Sequence, residues 1–322
     1  MNEHDLLQQL IAGPASGDAL ARRFGVTRAA VWKRVRGLRE AGVAVTGSAG
    51  RGYALAQPLD LLDAASIRAA LAPETAARLA AIEVAWSLDS TNAELLRRDP
   101  PAQGAAVLLA ERQTAGRGRR GRAWASPLAA NLYLSLSRRY GGGLARLGGL
   151  SLAAGAAVAE ALQALGADGV RVKWPNDLLV DGAKLGGLLV EGSGEPAGAA
   201  RAVVGLGLNV RMPPMQASVI DQPWTDLVRV LGEPPRRSAL VAHLLDHLLP
   251  ALDLFDREGL APFLPRYAAL DALRGRQIAV HGGDGSMHAG TALGIAEDGA
   301  LLIDSGGAEG RFHSGEVSVR AA

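Results

Sequence analysis

Cysteine is absent from all 322 residues. Disulfide frameworks, thiolate metal sites and cysteine nucleophiles are therefore excluded together. The six histidines show no metal-ligand spacing, and no Ser-His-Asp set stands out among the motifs. Long apolar runs are also missing. The nearest is residues 148–166, rich in Ala, Gly and Leu, but it holds Glu160 and Gln163 and reads as a buried helix rather than a membrane span. The opening Met-Asn-Glu-His-Asp has no basic region ahead of an apolar stretch, so it does not read as a secretory signal. The expectation is a cytoplasmic enzyme or regulator with no membrane association.

Lysine is the other scarcity. Of 34 basic residues, three are lysines: Lys33, Lys173 and Lys184. A chain that favours arginine keeps lysine where a compact point charge with three donors serves and a rigid planar fork does not. Two of the three fall close together in one motif region, which marks them as candidates for contact with reacting atoms.

What is present suits a chain of two or three domains, with 48% hydrophobic and 20% charged residues. The net charge of +2 announces no polyanionic partner for the chain as a whole, but the distribution does. Between positions 21 and 51 stand Arg22, Arg23, Arg28, Lys33, Arg34, Arg36, Arg39 and Arg51 against the single acid Glu40. Such a local excess is the footprint of a phosphate-binding face, the alternative being a solvated basic helix.

The pattern around that patch gives it a shape. Residues 5–13 predict a helix with Leu6, Leu7, Leu10 and Ile11 inward. Ser16-Gly-Asp18 caps a second helix carrying Leu20 and Phe24. Gly25-Val26-Thr27 predicts a tight turn, and Thr27 caps a third helix over residues 28–40. There Val31, Val35 and Leu38 recur at helical spacing, leaving Arg28, Trp32, Lys33 and Arg36 on other faces. Strand-like residues 43–46 and 52–55 flank a glycine turn with Arg51 at its tip. Two helices around a turn, the second basic, followed by a hairpin, predict a winged helix-turn-helix whose DNA-contacting set is Arg28, Trp32, Lys33, Arg36 and Arg51. A helical interaction module with an ordinary hairpin is the alternative.

Pro58 to Asp63 interrupt the pattern and mark a link. Beyond it, strands are expected at 107–111, 131–136, 185–191 and 202–210, with helices over 93–98, 150–165 and 237–258. This mixture implies a mixed-sheet α+β or α/β domain. Residues 274–320 alternate as short strands, consistent with a small appended β-barrel. The expected division is a DNA-binding domain at 1–63, a catalytic domain at 64–272 and a C-terminal domain at 273–322.

The sharpest motif is Gln113-Thr-Ala-Gly116-Arg-Gly-Arg-Arg-Gly-Arg122. It contains the Gly-x-Gly-x-x-Gly of a dinucleotide fingerprint, but that reading needs a helix opening at the last glycine. Here Ala123-Trp-Ala-Ser-Pro127 follows, with no helical stripe. A Walker A loop would need Gly-Lys-Ser/Thr. What remains is a flexible loop with Arg117, Arg119, Arg120 and Arg122, suited to close over a carboxylate and phosphates and to shield an activated acyl phosphate from water.

With this loop stand Ser90-Thr-Asn92, Lys173-Trp-Pro-Asn-Asp177, Lys184-Leu-Gly-Gly-Leu-Leu-Val-Glu191 and Gly205-Leu-Gly-Leu-Asn209. In kind and order these motifs resemble those of biotin protein ligases. With the winged head, the chain resembles the bifunctional biotin ligases that also repress a biotin operon. The resemblance implies an α+β multidomain chain: a winged helix-turn-helix, a mixed-sheet domain similar to class II aminoacyl-tRNA synthetases, and an SH3-like β-barrel. It implies biotin and ATP as substrates with Mg2+, biotinyl-5′-AMP as intermediate, a biotin carboxyl carrier protein domain as acceptor, operator DNA, and a homodimer formed on adenylate or DNA binding. Carried onto this sequence, Ser90, Thr91, Asn92 and Gln113 line the biotin end. Arg117, Gly118 and Arg119 cover the carboxylate and phosphate, joined on the phosphates by Arg120 and Arg122. Lys184 and Arg119 carry the chemistry, Asn176, Asn209 and Trp224 face adenosine, and Asp177 has a magnesium-linked role. Residues 211–223 correspond to the segment that covers the adenylate, here bracketed by Pro213, Pro214 and Pro223. A lipoate ligase shares the architecture without the Gly-Arg loop or winged head. A pure transcription factor with a degenerate sensor domain would not need to keep Lys184 and the loop arginines.

Overall fold

The computed structural model describes residues 2–48, 52–195, 198–213, 220–233, 235–282, 286–314 and 317–321. Three short helices open the chain: α1 (Glu3–Ala12), α2 (Gly17–Phe24) and α3 (Arg28–Glu40). Each starts at a residue whose side chain accepts a hydrogen bond from the first turn: Asn2, Ser16 and Thr27. Asn2 and Asp5 form a reciprocal capping box. Gly25, at φ 62°, ends α2 in the left-handed region and turns the chain into α3. Val31, Val35 and Leu38 of α3 are buried as their spacing predicts. Ile11, expected inward, is 37% exposed, because one residue past Leu10 lies a hundred degrees round the helix from the buried stripe. A hairpin follows, β1 (Val45–Ser48) with β2 (Gly52–Leu55). The hairpin tip with Arg51 lies outside the described residues.

The apolar core of this head is not closed by the head alone. Leu128 and Ala129, far along the chain, are buried in the same cluster, with Leu59, Leu61 and Trp86 packed against it. The Leu128 N–H donates to the Ala41 carbonyl at 2.8 Å, so the end of α3 rests on the segment that follows the Gly-Arg loop.

The central domain begins with α4 (Ala64–Ala70) and α5 (Pro73–Ala76) and is built on seven strands. These are β3 (Leu79–Ala85), β4 (Ala105–Ala110), β5 (Leu132–Tyr140), β6 (Val170–Lys173), β7 (Asp177–Val180), β8 (Ala183–Gly194) and β9 (Ala200–Leu208), in the order β3-β4-β5-β9-β8-β7-β6. Only β3 and β4 run parallel; every other neighbouring pair is antiparallel. Helix α6 (Thr91–Arg97) lies between β3 and β4 in the chain, and the long helices α7 (Leu150–Ala164) and α9 (Arg237–Glu258) pack together over the sheet. Between them in sequence come β6 to β9 and the short α8 (Leu227–Leu231). The stretches Leu144–Ala164 and Arg237–Glu258 are long and apolar enough to cross a bilayer, but most of each is buried inside the protein. The small residues of α7 permit that: a Cβ on Gly155 would stand 3.3 Å from Val172.

After α10 (Leu264–Leu270), five strands form a small antiparallel sheet: β10 (Gln277–Gly282), β11 (Met287–Ile295), β12 (Leu301–Asp304), β13 (Glu309–Phe312) and β14 (Val317–Ala321). Its Ile278, Val280, Leu301 and Ile303 are continuous with the central core. The Trp174 indole N–H donates to the Gly299 carbonyl at 3.0 Å.

One buried charge ties the first two regions together. Arg237, 2% exposed, opens α9. Its guanidinium donates to Glu111 at 2.8 Å, to Asp60 at 3.3 Å and to the Asn131 carbonyl at 3.2 Å. Its backbone N–H donates to the other Asp60 oxygen at 2.7 Å. Glu111 accepts from the Leu62 N–H with its second oxygen at 2.5 Å. Burial raises the Glu111 carboxyl above its ordinary range, and Arg237 pulls it partly back. Removing one partner of such a pair strands the other charge. Arg237→Ala is expected to cost about 3–5 kcal/mol of stability, read as a lower urea midpoint. An Arg237→Met, Glu111→Leu double variant is expected to recover most of that loss.

Candidate functional site

The site grows from a bare patch of sheet. Gly187 on β8 and Gly205 and Gly207 on β9 leave this part of the surface without side chains, while Gly186 faces the core at Leu178 and Leu208. The space is filled by side chains from elsewhere. A Cβ on Gly205 would stand 2.2 Å from the Asn92 Oδ1, and one on Gly207 2.4 Å from the Trp124 ring. Glycine is required at these positions by close approach rather than by backbone conformation.

At one end of the platform lies a buried polar network. Ser90 is the N-cap of α6, so Thr91 and Asn92 occupy its first turn. All three are 4% exposed. The Thr91 N–H and hydroxyl donate to the side-chain amide oxygen of Gln113 at 2.8 and 3.2 Å. Ser135, fully buried on β5, donates to the Thr91 hydroxyl at 2.7 Å. The Asn92 amide donates to Glu191 at 2.8 Å and to the Leu189 carbonyl at 3.1 Å. The Gln113 amide donates to Ser126 at 3.2 Å. The structure therefore brings Ser90, Thr91, Asn92 and Gln113 together. It adds Ser135, Glu191 and Ser126. Ser135 had one legible signal, a hydroxyl in the middle of a strongly apolar strand.

At the other end, the Lys184 ammonium pairs with Asp177 at 2.6 Å and lies 5.5 Å from the centre of the Trp124 ring. The chain around Lys184 is fixed from both sides: its N–H donates to the Pro223 carbonyl and its carbonyl accepts from the Thr225 N–H, each at 2.9 Å. Trp224 is thereby paired to Lys184 along the backbone, and its ring carries the Arg229 guanidinium at 4.0 Å. Asn176 and Asn209 are both here, but their amide N–H groups are engaged by the main chain. Asn176 donates to the Leu188 carbonyl at 2.6 Å, Asn209 to the Thr225 carbonyl at 3.0 Å. Asn176 also accepts from Arg119 at 3.4 Å.

The Gly-Arg loop covers the space between. The Gly118 N–H donates to the Arg122 carbonyl at 2.7 Å and the Trp124 N–H to the Gly116 carbonyl at 2.8 Å. The loop thus doubles back as a hairpin around one turn of 3-10 helix, Arg119–Gly121, and no helix opens after the last glycine. Arg120 reaches the left-handed region at φ 56°. Arg119 points inward, where burial lowers its pKa and Asp177 opposes the shift; it also donates to the Ser314 carbonyl of the C-terminal sheet. Arg117 pairs with Glu191 at 3.6 Å, while Arg117, Arg120 and Arg122 are exposed. The Trp124 indole N–H is buried with no hydrogen-bond partner among the described residues. A cavity of about 220 Å³ runs from this loop to the end of α3, lined by Glu40, Ala41, Gln113, Gly116 and Trp124 among others. On the head, Arg28, Trp32, Lys33 and Arg36 are exposed on α3. Asp177 is engaged by Lys184, and among the described residues no three His, Asp or Glu side chains cluster to hold a metal ion.

Residues 84–209 match the biotin/lipoate A/B protein ligase family, residues 2–54 an HTH domain and residues 274–320 the biotin protein ligase C-terminal domain. The chain is 43% identical over 307 residues to the bifunctional ligase/repressor BirA of Escherichia coli, covering 95% of this chain and 93% of that protein. The chain belongs to the bifunctional biotin ligase/repressor family. A biotin–[acetyl-CoA-carboxylase] ligase of Paracoccus denitrificans is 37% identical over 67% of this chain and 90% of its own. Among solved structures, the biotin protein ligase of Aquifex aeolicus in complex with biotin and ATP superimposes with a TM-score of 0.65 at 26% identity, covering 76% of this chain and 100% of that one. The mixed sheet is the ligase catalytic domain, and the three-helix head with its hairpin is the DNA-binding domain.

The platform gives a direct test of the ligase site. Gly205→Ala is expected to drive Asn92 out of its network and weaken biotin binding by at least about fivefold, the lower end of an overpacking cost of ~1–3 kcal/mol. Titration calorimetry with biotin measures it.

Proposed function

We propose that this ligase activates biotin with ATP to biotinyl-5′-AMP and transfers the biotinyl group to one lysine of a biotin carboxyl carrier protein domain. We further propose that its head carries the adenylate state to operator DNA. The observation that supports the catalytic reading best is Lys184, a rare lysine held against Asp177 at the end of a glycine platform, under Trp124 and the Gly-Arg loop.

The ureido head of biotin has N–H donors and a carbonyl acceptor, and a network of hydroxyls and amides, braced by Glu191 through Asn92, matches it. Ser90, Thr91, Asn92 and Gln113 form that end, with Ser135 fixing Thr91. The biotin carboxylate then lies along the platform toward Lys184. Its oxygen attacks the α-phosphorus of ATP; the carboxylate–phosphorus bond forms as the bond to the bridging oxygen breaks, and pyrophosphate leaves. Negative charge gathers on the phosphoryl oxygens, where the Lys184 ammonium and the Arg119 fork offset it without reorganising. Arg117 and Gly118 close over the carboxylate, Arg120 and Arg122 reach the departing phosphates, and the unpaired Trp124 N–H meets an acceptor on the ligand. Asn209 and Trp224 frame adenosine, and Asn176 orients Arg119. In the second half-reaction the carrier lysine amine attacks the acyl carbon and AMP departs with the electron pair. No protein nucleophile is needed, so rate comes from positioning and charge.

Magnesium enters as the counter-ion of ATP. Among the described residues Asp177 is the carboxylate paired with Lys184, in keeping with the few protein ligands that this cation needs when phosphates supply the rest. The working division is 1–63 for the DNA-binding domain, 64–272 for the catalytic domain and 273–322 for the C-terminal domain. A homodimer formed on adenylate or DNA binding would present paired α3 helices to two half-sites. ATP and a carrier enzyme as partners fit a cytoplasmic setting.

Lys184→Ala is expected to lower biotin-dependent exchange of labelled pyrophosphate into ATP by about 10²–10³-fold while the circular dichroism spectrum is unchanged. Exchange at the wild-type rate would remove Lys184 from the chemistry, and exchange with lipoate in place of biotin would reassign the substrate. Deleting residues 1–57, which spares Asp60, is expected to abolish duplex DNA binding. It should also raise KM for biotin, because the Gly-Arg loop then loses the support of α3 at Leu128.

A further inference from the structure

Four large apolar side chains among the described residues are notably exposed: Ile11, Trp32, Met287 and Leu293. Trp32 differs from the others in its surroundings. It stands 53% exposed in the middle of α3, on a face whose other exposed residues are Arg28, Ala29, Lys33, Arg36 and Glu40. The core of the head does not use it; Val31, Val35 and Leu38 fill that role from an adjacent side of the helix.

Its ring is engaged from one direction. The Arg36 guanidinium lies 5.5 Å from the indole centre, and Glu40 holds the same guanidinium at 3.1 Å. The contact sets Trp32 and Arg36 side by side on one face of the helix. They are one helical turn apart, about 6 Å along the axis, which is close to two base steps of ~3.4 Å each. Arg28 and Lys33 flank the pair with charge suited to phosphates. A second copy of this basic face, or a basic partner, would be repelled; a polyanion is attracted.

The major-groove edge of duplex DNA carries one apolar group, the C5-methyl of thymine, and guanine offers the acceptor pair that arginine grips with two donors. We propose that Trp32 and Arg36 are the specificity pair of the head, Trp32 packing on a thymine methyl and Arg36 binding O6 and N7 of a guanine within two base pairs of it. The inference rests on the reading of the head as a DNA-binding domain and deepens it to base chemistry.

The full-length chain, supplied with biotin and MgATP, is used to select sites from a pool of random-sequence duplexes. Each thymine of the selected site is then replaced in turn by deoxyuridine, which removes only the methyl. Replacement of one thymine is expected to weaken wild-type binding by about five- to tenfold, the low end of a single-position cost. The Trp32→Ala chain is expected to bind more weakly but indifferently to that replacement. Its salt dependence should match wild type, because no phosphate contact is lost. Arg36→Lys is expected to relax the guanine preference nearby. An unchanged melting temperature for Trp32→Ala confirms that the surface substitution leaves the head folded. The proposal is overturned if no thymine-to-deoxyuridine exchange affects the wild type, or if Trp32→Ala keeps the full penalty. If the wild type selects no site at all, the DNA-binding reading fails first, and the pair with it.

Discussion

The buried Arg237 is the constraint on which the rest of the architecture depends. A guanidinium removed from water must find acceptors for its donors, and here they come from the interdomain link (Asp60), the end of β4 (Glu111) and the start of β5 (Asn131). Glu111 stands just before the Gly-Arg loop and Asn131 just after it, so both stems of that loop are anchored to one cation. Asn131 also accepts from the Val210 N–H at 2.9 Å, and Asp226 accepts from the Met212 N–H at 2.9 Å. The stretch that follows β9 is thereby held at its start by Asn131 and Asp226. An apolar core at this place would have been no less stable; the ionic version gives direction to three chain segments that carry function.

Anchored stems explain how a loop with four arginines and three glycines can serve a reaction that depends on placement. The loop pays for its flexibility only at its tip. Its base meets a platform with no side chains, where every approaching group comes from a different element: Asn92 from α6, Trp124 from the loop, Lys184 from β8. Such a platform lets the ligand lie against backbone, with the polar network at one end and positive charge at the other. In the proposed reading, the hydroxyl-and-amide end selects by donor and acceptor pattern, and the end with Lys184 acts on the group that becomes more negative as reaction proceeds.

The contact between head and loop gives the molecule's two activities a shared boundary. Leu128 and Ala129 complete the core of the head and also terminate the segment that covers the site. Glu40 and Ala41 at the end of α3 line the same cavity as Gln113 and Trp124. Trp32 and Arg36 lie on α3 itself, whose C-terminal end forms this boundary, on a head whose core is partly made by the catalytic domain.

Much of this was legible in sequence wherever the determinant is local. Capping residues, a left-handed glycine and a helical stripe specify the head because each acts within four residues of itself. The ligase motifs are contiguous strings, so their order and composition point to the fold and to the chemistry together, and the scarcity of lysine singles out Lys184. Ser90, Thr91, Asn92 and Gln113 come together as expected because two of their backbone segments enter the same sheet edge. Other features depend on where the chain returns, and spacing does not encode that. The partnership of Arg237 with Glu111 spans 126 residues, Ser135 reaches Thr91 across 44, and Leu128 completes a core begun at Leu6. The amides of Asn176 and Asn209 look in sequence like groups for a base; only the tertiary structure gives their N–H donors to main-chain carbonyls. Sequence by itself determined which chemical groups this protein has and in what local shapes. The packing of distant segments decided which of them face one another, because burial of a charge or an amide is settled by whatever the fold brings within hydrogen-bond reach.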